Sequence, residues 1–68
     1  MNEDTFNLSI RKFLKMVGVN SQRAIEQAVA SARASGSIRG NESFPAQVTL
    51  EIPALKLAVK LDGKIELE

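Results

Sequence analysis

The sequence predicts an α+β domain of two layers, ααβββ, in which two amino-terminal helices pack on one face of a three-stranded antiparallel meander. Three observations predict it. The apolar residues repeat with a period near 3.6 up to about residue 34, the period falls to 2 from Gln47 onward, and helix stops and turn residues separate the stretches. A chain of 68 residues has room for one such domain, spanning residues 1–68, and a domain of this size has a marginal core.

Phe6, Ile10, Phe13, Leu14 and Val17 fall within an arc of about 100°, the width of a stripe facing a core. This predicts a helix over about residues 3–17, with Asn2 as its cap, Glu3 and Asp4 at the positive end of its dipole, and Gly18 closing it. Asn20 or Ser21 then caps a second helix with the stripe Ile25, Ala28, Val29 and Ala32, which Ser35-Gly36 stops. The intervening Gly18-Val19-Asn20 is short, so a hairpin or corner of helices is expected.

From Gln47, the residues Val48, Leu50 and Ile52 alternate with polar neighbours, and Leu55, Leu57 and Val59 do the same. A turn at Pro53-Ala54 pairs Ile52 with Leu55, Leu50 with Leu57 and Val48 with Val59, and places Glu51 beside Lys56. A two-residue loop at Asp62-Gly63 would set Val59 against Glu66, whereas a three-residue loop, Leu61-Asp62-Gly63, sets Val59 against Ile65 and Leu57 against Leu67. The second register is therefore expected, with strands at about 46–52, 55–60 and 64–68 and Lys56 opposite Glu68. The helical stripes should cover the one greasy face of this sheet, with Ile38 and Phe44 pinning the connecting loop to the core.

Composition narrows the chemistry. The chain contains no His, Cys, Trp or Tyr. It thus lacks the commonest general base, the usual transition-metal ligands and the best base-stacking side chains. The eight carboxylates are scattered along the sequence, which argues against both a catalytic pair and a calcium or magnesium cage. No enzyme activity, cofactor or metal is expected. Gly36-Ser37-Ile38-Arg39-Gly40 could pass for a phosphate cradle, but it follows a helix rather than preceding one, so the dipole there is negative. A helix-turn-helix at residues 13–25 is disfavoured by the phase of Ile25, Ala28 and Val29. The polar, acidic start and the charges that interrupt every apolar run point to a cytoplasmic protein that does not engage a membrane.

The net charge of +1 is unevenly spread. Residues 1–40 hold six basic and three acidic side chains, and residues 41–68 three and five. The most suggestive surface is the outer side of the first helix, where Arg11, Lys12 and Lys15 surround Leu8. A leucine among three cations can anchor a partner, although single exposed leucines are common and basic side chains also serve to solubilise a helix. These four residues are the candidate binding site. The expected partner is another protein or a second copy of the chain. Weak, sequence-tolerant nucleic-acid binding through the same basic face is the alternative.

The run from Met1-Asn2-Glu3-Asp4-Thr5-Phe6 through Arg11-Lys12-Phe13-Leu14-Lys15-Met16-Val17-Gly18-Val19, with Leu55-Lys56-Leu57-Ala58-Val59-Lys60-Leu61-Asp62-Gly63 near the end, resembles a family of very short bacterial proteins of unknown function. The resemblance covers nearly the whole chain and is weakest from about Ser31 to Ser43. It implies a free-standing bacterial cytoplasmic protein and supplies neither an activity nor site residues.

Overall fold

The computed structural model describes residues 1–68 and contains one helix and one hairpin. The helix α1 spans Glu3–Ala34, the strand β1 Ser43–Ile52, a short 3-10 turn Pro53–Leu55, and the strand β2 Leu57–Glu66. They form two units, Met1–Ser35 and Gly36–Glu68. The α+β class holds, but the ααβββ arrangement does not.

The first correction concerns Gly18. It lies inside a single helix of 32 residues, and it is not among the glycines with positive φ. Neither Asn20 nor Ser21 begins a second helix. A helix-interior glycine costs about 1 kcal/mol relative to alanine, whereas ending one helix and starting another leaves up to four carbonyls and four N–H groups to be satisfied elsewhere. The apolar stripe also gives no reason to stop, because the residues before Gly18 are continued in phase by Ser21, Ala24, Ile25, Ala28 and Ala32. The expected termini do form. The Asn2 side chain accepts the Thr5 N–H at 3.0 Å. At the other end the Ser35 N–H reaches the Ser31 carbonyl at 3.0 Å, its hydroxyl donates to the Ala32 carbonyl at 3.1 Å, and Gly36 takes a φ of 77°.

The second correction concerns the meander. Only two strands form, paired antiparallel, with Ile52 opposite Leu57, Leu50 opposite Val59, Val48 opposite Leu61 and Phe44 opposite Ile65. Asp62-Gly63 is no turn; these residues lie within β2, opposite Gln47 and Ala46. The turn is instead the four residues Pro53-Ala54-Leu55-Lys56, closed by the Lys56 N–H on the Pro53 carbonyl at 3.0 Å. Lys56 takes the left-handed conformation, φ 53° and ψ 37°. Lengthening the turn by two residues shifts the register by two, so Glu51 faces Ala58 rather than Lys56, and Lys56 has no strand partner at Glu68. A shift of two preserves which residues share a face.

One face of the hairpin therefore carries Phe44, Ala46, Val48, Leu50 and Ile52 of β1 with Leu57, Val59, Leu61 and Ile65 of β2. The other is polar, and across it the Gln47 amide donates to the Asp62 carboxylate at 2.9 Å. The Leu67 N–H donates to the Glu42 carbonyl at 3.0 Å just beyond the strand ends, which sets the phase of the ladder. By the alternation of an antiparallel pair, Phe44 and Ile65 exchange hydrogen bonds, and the nitrogen of Pro45 points away from β2. Pro45 thus costs no ladder bond and removes one donor from the outer edge of β1.

No side chain is buried, in α1 or in the hairpin, and Phe6, Phe13 and Leu14 are 50, 45 and 52 % exposed. Ile38 and Phe44, expected to pin the connecting loop, are half-buried. α1 is not long and apolar enough to cross a membrane.

Candidate functional site

The four residues singled out from the sequence share one face of α1. At about 100° per residue, Leu8, Arg11, Lys12 and Lys15 fall within an arc of roughly 100° on the side of the helix away from Val17. All four are exposed, Leu8 by 52 %. Long basic side chains can lay their methylenes along such a leucine while the charged heads stay in water. The face therefore offers a small apolar spot flanked on its carboxyl-terminal side by positive charge.

The continuous helix adds a residue that the two-helix expectation concealed. Val19, 47 % exposed, lies one eleven-residue repeat beyond Leu8 and so on nearly the same line. With a chain break at Gly18 it would have belonged to a linker. One turn past Val19 the charge becomes mixed, with Arg23 beside a pair in which the Gln22 side-chain amide donates to the Glu26 carboxylate at 3.5 Å.

The stretch that could pass for a phosphate cradle has a different occupant. The Glu42 carboxylate accepts the backbone N–H groups of Arg39 at 2.8 Å, Gly40 at 2.9 Å and Asn41 at 3.1 Å. Those donors, Arg39 first, hold its pKa below the ordinary 4.5. An anion-binding concavity of successive amides does form here, and the chain fills it with its own carboxylate. No group of three or more Asp or Glu side chains comes together as a metal site would require.

No curated protein and no solved structure matches the chain. A family model does, and over the whole length, residues 1–68, so the chain belongs to a family of unknown function, DUF6494.

Proposed function

We propose that the chain is a small non-catalytic interaction protein of the bacterial cytoplasm, which works by covering its apolar faces with a protein partner, a second copy of itself included. The supporting observation is that neither α1 nor the hairpin buries a side chain of its own, although most of the large apolar residues are gathered on one stripe of α1 and one face of the hairpin. The family resemblance supports the cytoplasmic, bacterial setting.

Hydrogen exchange of the isolated chain at low micromolar concentration tests this reading. Without a partner, the amides of α1 and of the hairpin should exchange with little protection, since a lone two-stranded hairpin is marginal in water. Strong protection in a chain shown to be monomeric would overturn it.

The shared face of Arg11, Lys12 and Lys15 favours a second reading, weak nucleic-acid binding that is tolerant of sequence. Fluorescence anisotropy with labelled RNA or DNA should then rise at low salt and fall steeply as salt is added. No rise at low salt removes it.

A further inference from the structure

The apolar stripe of α1 has an internal order that points to its occupant. Phe6, Ile10, Phe13, Leu14 and Val17 are followed at an eleven-residue repeat by Val17, Ser21, Ala24, Ile25 and Ala28, and Ala32 completes the second repeat. Eleven residues make three turns of 3.67, close to the natural 3.6, so the seam stays in line along a nearly straight helix. Its first half is large and its second half is small. Reversed about Val19, each large residue meets a small one: Phe6 faces Ala32, Ile10 faces Ala28, Leu14 faces Ala24 and Val17 faces Ser21. Only Phe13 meets a large residue, Ile25.

From this we infer that α1 pairs antiparallel with α1 of a second copy, along this seam and about a two-fold axis that crosses the seam at the level of Val19. The proposal rests on the reading above that protein covers the apolar faces. Close packing favours large residues opposite small ones, and the alanines allow the helix axes to approach to about 8 Å. A parallel pair would instead set Phe6 against Phe6 and Ala32 against Ala32, spreading one end and leaving the other empty. The antiparallel arrangement also opposes the two helix dipoles and brings the acidic first turn, Glu3 and Asp4, near the last turn of the copy, which carries Arg33. The interface is isologous and therefore closes at two chains.

Two measurements on the full chain test the proposal. The first is a size exchange across the seam, read as the dimer dissociation constant by sedimentation. Ile10→Ala and Ala28→Ile should each weaken the dimer by about tenfold or more. The double variant should return to within about threefold of the parent, because the large and the small side chain have then only changed places across the seam. Circular dichroism at saturating concentration shows that each variant remains helical. The second is a distance. The chain has no cysteine, so a spin label on Asn7→Cys reports only on its own position, and likewise on Asn20→Cys. Double electron–electron resonance should give a separation of about 36 Å or more for the first and under about 20 Å for the second. Short distances at both positions, or a double variant no tighter than the singles, overturn the antiparallel seam while leaving the interaction reading intact. A monomer at millimolar concentration also overturns it; if that monomer is strongly protected from exchange, the interaction reading falls as well.

Discussion

Glu42 shows how one side chain fixes a loop that has little else to hold it. Its carboxylate takes three successive backbone N–H groups, from Arg39, Gly40 and Asn41, and each bond favours the charged form. The folded pKa is therefore depressed, and the contribution to stability has a definite sign. It is fully present above the unfolded value, near 4.5, and is lost as pH falls through the lower folded value. An NMR titration should place the Glu42 midpoint below 4.5, and the Arg39, Gly40 and Asn41 amides should lose exchange protection together in the same acid range. A midpoint at or above 4.5 would show that the three bonds do not form in solution. Glu42→Gln keeps an acceptor but removes the charge, and it should leave those amides less protected at neutral pH as well.

At the scale of elements, two glycines decide the difference between the expected fold and the observed one, and both are open to substitution. Gly18 has no heavy atom within 4 Å of where a Cβ would stand. Gly18→Ala should therefore raise helix stability by about 0.5–1 kcal/mol, seen as greater ellipticity at 222 nm and a higher melting temperature. A left-handed glycine closing a helix at this point would give the opposite sign. Gly63 is equally open, and its φ is not positive. Gly63→Val should stabilise β2 by up to about 1 kcal/mol in a thermal or urea melt, because a β-branched residue suits an extended strand opposite Ala46. Had Gly63 been the left-handed residue of a three-residue loop, valine would have destabilised the chain.

The same two places show what the sequence could and could not reveal. The caps at Asn2 and Ser35-Gly36, the helical stripes and the two-fold alternation from Gln47 were all legible, since each rests on local chemistry. What was not legible is continuity. Gly18-Val19-Asn20-Ser21 carries stop and start signals, and only the eleven-residue phase linking Phe6 to Val17 and Val17 to Ala28 speaks for a single helix. In the hairpin the hydrophobic pattern is silent on the choice. Both a loop at Leu61-Asp62-Gly63 and a straight β2 leave Leu57, Val59 and Ile65 on one face. The choice falls to the ladder, where extending β1 back to Ser43 gives Gly63 and Ile65 partners in Ala46 and Phe44. Of the candidate site, the placing of Leu8, Arg11, Lys12 and Lys15 on one face was local and readable, whereas Val19 joins it only because the helix does not break.

For the molecule as a whole, α1 presents two unlike faces, an apolar seam through Val17 and a basic face through Leu8, Lys12 and Lys15, on roughly opposite sides. A seam on one side leaves the other in water, so the two faces should act independently. Sites with no shared contacts contribute additively. Lys12→Glu with Lys15→Glu changes the net charge from +1 to −3, yet it touches nothing on the seam. The variant should form dimers with a dissociation constant within about threefold of the parent at physiological salt, where charges more than about 8 Å apart are largely screened. Any acidic protein or nucleic acid held by the basic face should be lost from it, and the melting temperature should still rise with protein concentration, as mass action requires of a self-associating chain. Sedimentation equilibrium and thermal melts over a roughly hundredfold range of concentration check this. Loss of the dimer on charge reversal would place the interface on the basic face and leave the apolar seam without a role in self-association.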